Sequence, residues 1–135
     1  VSDWNQDTIE EFRINEGNVG GVFQGAPLLL LHHVGAKTGT ARVSPLMYQA
    51  VDGGYAVFAS KGGADSSPDW YYNLRANPDT KVEVGTDVVA VAARVVEGDE
   101  RVRIWEKQKQ GRPQFADYEL RTTRETIPVL VLDIV

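Results

Sequence analysis

The chain contains no cysteine, which excludes disulfides, a thiolate nucleophile and any cysteine-ligated zinc or iron–sulfur centre. Long apolar runs are also missing. The stretch 26–31 is far short of the roughly 20 residues that a membrane-spanning helix needs, and no signal peptide opens the chain. Bases are outnumbered: the net charge of −5 argues against nucleic acid as a partner. Histidine is scarce too, at two residues. His32 and His33 are adjacent on an expected strand and point to opposite faces, so they cannot share one metal ion, and no metal site is expected. Without a G-x-S-x-G turn, and with Ser60 in a lysine–glycine segment instead, hydrolase chemistry is set aside.

What is present is the composition of a folded protein, 42% hydrophobic and 24% charged over 135 residues. One domain spanning 1–135 is expected, alone or as a homodimer. The first residue is Val1 rather than Met, so an N-terminus trimmed from a longer chain is expected.

Charge is unevenly placed. Residues 1–34 carry Arg13 as their one base against five acids, whereas 35–61 carry Lys37, Arg42 and Lys61 against Asp52 alone. An acidic protein that keeps a local basic segment is expected to bind an anion there.

The pattern predicts a helix from Asp3 or Asn5 to about Glu16, stopped by Gly17. A meander of strands over 28–34, 41–51 and 55–60 follows, then a short helix over 69–76 between Pro68 and Asn77-Pro78. A hairpin over 80–84 and 88–96, a helix over 99–110 with Val102 and Trp105 inward, and an apolar tail over 127–135 complete the chain. About six strands without βαβ alternation predict an antiparallel, mainly β fold with peripheral helices, an α+β chain closed or nearly closed into a barrel.

Three segments carry chemistry. Gly35-Ala36-Lys37-Thr38-Gly39 lacks the spacing and the following helix of a nucleotide-triphosphate loop, yet its exposed N–H groups beside Lys37 and Thr38 suit a phosphate or carboxylate. Arg42 and Ser44 share a face of the next strand, with Tyr48 further along, and Pro45 marks an edge where a ligand can approach. Ala59-Ser60-Lys61-Gly62-Gly63 places a hydroxyl, a cation and two glycines directly after a strand, and Trp70-Tyr71-Tyr72-Asn73 clusters aromatics beside an amide. Trp70 reads equally as a core anchor and as a pocket wall.

Four ordered motifs, G-A-K-T-G-T-A-R-V-S-P-L (35–46), A-S-K-G-G (59–63), P-D-W-Y-Y-N-L-R-A-N-P (68–78) and R-T-T-R-E-T-I-P-V (121–129), resemble the series of the deazaflavin-dependent nitroreductase family. The resemblance runs from about Asn18 to the C-terminus. It implies a split β-barrel of the FMN-binding type and a hydride transfer from reduced coenzyme F420 to a quinone, activated alkene (enone) or nitroaromatic acceptor. Carried over residue by residue, Lys37, Thr38, Arg42 and Lys61 hold the phosphate and glutamate tail. Val43, Ser44, Pro45, Leu46, Met47, Tyr48, Ala59 and Ser60 line the ring, and Trp70, Tyr71 and Asn73 close the site. Residues 113–118 resemble the loop that shapes the acceptor pocket, making Phe115 and Tyr118 substrate-binding. Tyr118 ranks first as proton donor, ahead of Ser60 and Tyr48. Phe115 and Met47 stand where some relatives have tyrosine, which puts nitroimidazole reduction in question and leaves quinone reduction intact. FMN in place of F420, a coenzyme carrier without catalysis, and a degenerate barrel are the competing readings. A cytosolic enzyme is expected, with transient membrane contact left open, because the acidic first helix lacks a lysine-rich face.

Overall fold

The computed structural model describes residues 2–20 and 26–135, with side chains in the first helix from Gln6 onward. Within them run α1 (Ser2–Ile14), β1 (Leu28–Val34), β2 (Ala41–Met47), β3 (Gln49–Val51), β4 (Gly54–Phe58), α2 (Asp69–Ala76), β5 (Asp79–Val84), β6 (Asp87–Val95), α3 (Gly98–Gly111), α4 (Gln114–Arg121) and β7 (Val129–Ile134). All strand pairings are antiparallel, in the order β2-β1-β5-β6-β7-β4-β3.

The expected strand 41–51 divides at Tyr48, which makes seven strands of the expected six or so. Its first half pairs with β1, from Ala41↔Val34 to Met47↔Leu28, and its second half pairs with β4, from Gln49↔Ala56 to Val51↔Gly54. One run of chain therefore occupies both ends of the sheet order and bends it into a half-barrel. Gly54 permits the tight end of this arrangement, since a Cβ there would collide with the Leu132 carbonyl oxygen. Asp52-Gly53 forms the connecting two-residue turn, with Gly53 at φ +74°, a left-handed backbone that glycine adopts without strain.

Continuous apolar strands are explained by cover on both faces. Leu29, Leu31, Val57, Leu130 and Leu132 point into the barrel, which α2 plugs with Trp70 and Leu74. The alternate residues Ala56, Phe58, Val129 and Val131 face outward under Ile104, Trp105 and Phe115 of α3 and α4. Leu28 and Leu30 turn to α1, against Ile9 and Phe12.

Several expectations are corrected. Asp3 and Asn5 lie inside α1, which already runs from Ser2. Val102 faces solvent at 55% exposure, and Ile104, Trp105 and Gln108 form the inner stripe of α3. The segment expected as an acceptor loop is largely the helix α4, started after Pro113 and carrying Phe115 and Tyr118 one turn apart on one face.

Candidate functional site

The split in the barrel is a direct result of the strand switch at Tyr48. Beyond that bend β2 has no strand partner on its outer side, and the end of β4 continues into the turn at 60–63. A cleft of about 500 Å³ opens between them. Ser44, Pro45, Leu46 and Met47 form one wall, and Phe58, Ser60, Lys61 and Gly62 the other. Pro68 and Trp70 bound one end, and Phe115 and Tyr118 reach in from α4.

Aromatic packing fixes that last wall. The Phe115 ring centroid lies 5.5 Å from Phe58, 6.1 Å from Trp105 and 5.2 Å from Tyr118, each edge to face. Glu119 on the same helix accepts from Trp105 Nε1 at 2.6 Å and from Lys109 Nζ at 3.1 Å, which docks α4 on α3. Gly63, at φ +85°, lets the helix sit directly on the turn: a Cβ there would stand 3.0 Å from Tyr118 Cα.

A second hollow of about 500 Å³ lies at the start of β2, lined by Gly35, Ala36, Lys37, Thr38, Arg42 and, from α2, Asp69, Tyr72 and Asn73. Gly39 N–H donates to the Gly35 carbonyl at 2.9 Å and Gly35 N–H to the Thr40 carbonyl at 2.9 Å, closing the turn. The N–H groups of Lys37 and Thr38 find no acceptor among the described residues. Lys37 and Arg42 in this hollow and Lys61 on the cleft wall make no ion pair among the described residues, although Arg13, Arg94 and Lys109 do. Unpartnered cations beside free N–H groups suit an anion. Asp69 is the one acidic side chain lining that hollow.

Two buried networks hold the walls. Arg124 donates to the Ala59 carbonyl (2.8 Å), the Ser60 carbonyl (2.8 Å), Ser67 Oγ (2.9 Å) and Thr122 Oγ1 (3.0 Å), so one guanidinium pins the strand end at 59–60. On the other wall, Asn73 Oδ1 accepts from Ala36 N–H at 2.9 Å, Asn73 Nδ2 meets His33 Nδ1 at 2.9 Å, and His33 Nε2 meets Ser44 Oγ at 2.9 Å. His33 is 4% exposed, and burial, reinforced by the charge of Arg42, pushes its pKa down to about 4. Its neighbour His32 turns the other way and meets Glu83 Oε2 at 2.7 Å, as alternation along the strand requires.

Of the residues expected at the site, Ser44, Pro45, Leu46, Met47, Ser60, Lys61, Trp70, Phe115 and Tyr118 come together in the cleft. Lys37, Thr38, Arg42 and Asn73 meet in the basic hollow. Trp70 satisfies both of its readings, a core residue with 6% exposure that also ends the cleft. Four residues are placed elsewhere. Val43 packs toward α1, Ala59 is wholly buried with its carbonyl on Arg124, and Tyr71 packs on the barrel core with Arg75 over its ring. Tyr48 sits at the strand bend, edge to face with Tyr55 at 5.2 Å, and opens on a different hollow beside Leu28 and Gly85. Burial, with Tyr55 adding, raises its phenol pKa above the ordinary tyrosine value.

Sequence reasoning gave no individual site role to Phe58, Gly62 and Pro68 in the cleft, to Asp69 and Tyr72 in the hollow, or to the two supports His33 and Arg124. Pro68, Asp69, Tyr72 and Arg124 lie inside the four motifs, so the signal was present without a role attached to it. Among the described residues no group of His, Asp and Glu could hold a metal ion, and no helix is long and apolar enough to cross a membrane.

Comparison with known proteins agrees with this geometry. The sequence model of the family described as F420H(2)-dependent quinone reductase matches residues 4–133. An F420H(2)-dependent quinone reductase of Mycobacterium tuberculosis (strain H37Rv) is 39% identical over 125 residues, 90% of this chain and 83% of that protein. A solved F420-H2 dependent reductase (FDR-A) is 40% identical with a TM-score of 0.71, over 79% of this chain and 94% of that one. A solved domain-swapped dimer is 36% identical with a TM-score of 0.73, over 98% of both chains. The haem storage protein HutZ of Vibrio cholerae, 17% identical with a TM-score of 0.62 over 96% of this chain and 89% of its own, shares the fold.

Proposed function

The chain belongs to the F420H(2)-dependent quinone reductase family, and from that premise we propose that the cleft and the basic hollow together form one coenzyme site for reduction of a quinone. The observation that carries the reading is that two unlike hollows stand next to each other along β2, at Ser44 and Arg42, and along α2, at Trp70 and Asp69. An apolar, aromatic-ended slot suits a flat ring, and beside it stand cations with no carboxylate partner, which suit a tail of phosphate and carboxylates. The donor set therefore fits reduced F420, and the family match favours F420 over FMN.

Ser44, Pro45, Leu46 and Met47, facing Phe58 and Ser60, would hold the ring. Lys37, Arg42 and Lys61, with the free N–H groups of Lys37 and Thr38, would hold the tail. Reduced coenzyme F420 supplies a hydride when bound. The chain's own contribution is orientation, exclusion of water and management of one proton. Phe58, Trp70 and Phe115 keep the slot dry, which strengthens every electrostatic contact inside it. A quinone that gains hydride becomes an oxyanion and needs a hydrogen bond or a proton; Tyr118 Oη is the leading donor and Ser60 Oγ the second.

Enone and nitroaromatic acceptors, a homodimer and transient membrane contact are finer readings that belong with this proposal. The resemblance to a domain-swapped dimer supports pairing.

Fluorescence titration with oxidised F420 and, separately, FMN tests the coenzyme. Saturable binding of F420 alone is expected; binding of FMN alone overturns the assignment. Tyr118→Phe tests the proton donor: coenzyme affinity is expected to stay within about twofold while kcat with menadione falls roughly 10- to 100-fold. Turnover of every acceptor at the unaltered rate removes Tyr118 from the chemistry.

A further inference from the structure

The hydrogen-bond chain behind the cleft has a direction that its first member dictates. A backbone N–H only donates, so the contact of Ala36 N with Asn73 at 2.9 Å fixes that amide atom as Oδ1. The amide nitrogen is then the atom facing His33 Nδ1 at 2.9 Å, and it too only donates. His33 Nδ1 must accept, which places the ring proton on Nε2. From there it donates to Ser44 Oγ at 2.9 Å. The Ser44 hydroxyl hydrogen is left with no acceptor among the described residues, on a side chain that lines the cleft.

Resting on the coenzyme reading above, we infer that Ser44 is an obligate hydrogen-bond donor to the bound coenzyme, and that His33 and Asn73 are positioning residues that hold it in that sense. The ligand atom opposite Ser44 must accept: a carbonyl, ring nitrogen or phosphate oxygen. A group that can only donate there meets a second donor and leaves two polar groups unpaired, a strong discriminator in a dry site. The burial of His33 and Asn73, 4% and 6% exposed, keeps water from relaxing the chain by reversing one link. The same amide ties the 35–39 turn to the cleft wall, so the two hollows are built on one fixed frame.

The polarity of the chain can be reversed without changing its shape. In Asn73→Asp one carboxylate oxygen still accepts from Ala36, while the other now faces His33 Nδ1 as an acceptor. It draws the ring proton to Nδ1, leaves Nε2 bare, and turns the Ser44 hydroxyl inward. Long-range proton–nitrogen NMR on the coenzyme-free protein reads this directly. At about pH 8.5, well above the ordinary histidine range, we expect a protonated Nε2 and bare Nδ1 in the unaltered chain, and the opposite in Asn73→Asp. A protonated Nδ1 in the unaltered chain overturns the inference, even if the variant does not fold.

Affinity supplies a second arm. Ser44→Ala is expected to weaken oxidised F420 about tenfold in the unaltered chain and less than about twofold on top of Asn73→Asp, where the donor has already turned away. The new carboxylate also repels the tail, which lowers the baseline of Asn73→Asp and of the double variant equally and leaves the ratio intact. An equal tenfold loss in both backgrounds sinks the proposal, because a merely structural Asn73 gives additive effects. Failure of the coenzyme reading looks different: F420 does not bind, while the tautomer of the free protein is as stated.

Discussion

Six cations of this protein form two contrasting sets on different flanks. On the side of α1, β6 and α3, three are clamped: Arg13 on Glu83 at 2.7 and 3.1 Å, Arg94 between Glu100 and Asp133, Lys109 between Glu106 and Glu119. At the split, Lys37, Arg42 and Lys61 make no ion pair among the described residues, and Lys61 donates to Ser66 Oγ at 3.5 Å. The clamped set ties elements of the fold together. The second set lies against the cleft and the basic hollow, and on the proposed reading its partner is the coenzyme tail. Residue type is the same in both sets; what differs is the partner.

Removing cations from the split is the sharpest way to break the comparison. Arg42→Ala and Lys61→Ala are each expected to weaken F420 about 10- to 100-fold, since a hydrogen bond to a charged group contributes roughly 1.5–3 kcal/mol. The melting temperature should stay level or rise slightly as repulsion is relieved. A calorimetric scan and a titration on the same samples decide it: a large loss of stability with unchanged affinity would put these residues in the clamped class.

The next effect comes from His33, buried beside the unclamped Arg42. Its folded pKa, about 4, lies below the ordinary value of 6.5, with burial as the main cause, Arg42 and His32 adding to it and Asp69 opposing. Between those values the unfolded chain binds the extra proton and the folded chain does not. Stability from neutral His33 is therefore complete above pH 6.5 and is lost as pH falls toward 4. The loss by about pH 4.5 is about 2 kcal/mol after allowance for solvent screening. His33→Gln should flatten the denaturation midpoint over that window; an unchanged slope assigns the acid sensitivity to other groups. Glu83 is held below the usual carboxylate range chiefly by its bond to Arg13, so its own contribution is lost only once pH falls below the ordinary carboxylate value.

Much of this layout was readable in the amino-acid order, and the gaps have physical reasons. The strands and α2 carry period-two apolar patterns or Pro and Gly stops, which are local signals. The break at Tyr48 is not local: residues 41–51 read as one strand, and only the presence of β1 on one side and β4 on the other divides it. That break is also what opens the cleft. Residues 113–118 read as a loop through the family resemblance, and α4 is held by Glu119, Gly63 and the Phe115 contacts rather than by its own propensity. Most residues of the candidate site were legible because they sit in or beside four compact motifs, while Phe115 and Tyr118 came through the family resemblance of 113–118. His33 was read only as half of a failed metal pair, since nothing in a sequence announces that Asn73 will arrive from 40 positions away to set its tautomer.

The smallest effect tests the clamped flank from inside. Glu83 accepts from Arg13 and from His32, and at 16% side-chain exposure it is the most sheltered carboxylate among the ion pairs described. Glu83→Gln keeps the shape and one oxygen acceptor but removes the charge. The expected cost is at most about 1 kcal/mol at neutral pH, because Arg13 is half exposed and water replaces much of what it loses. F420 affinity should not move, since Glu83 lines neither the cleft nor the basic hollow. The cost should shrink in high salt, as an exposed pair requires. If coenzyme affinity instead falls with stability, then α1, which Arg13 moors to β5 through this carboxylate, takes part in shaping the site, and the line between the two flanks has been drawn in the wrong place.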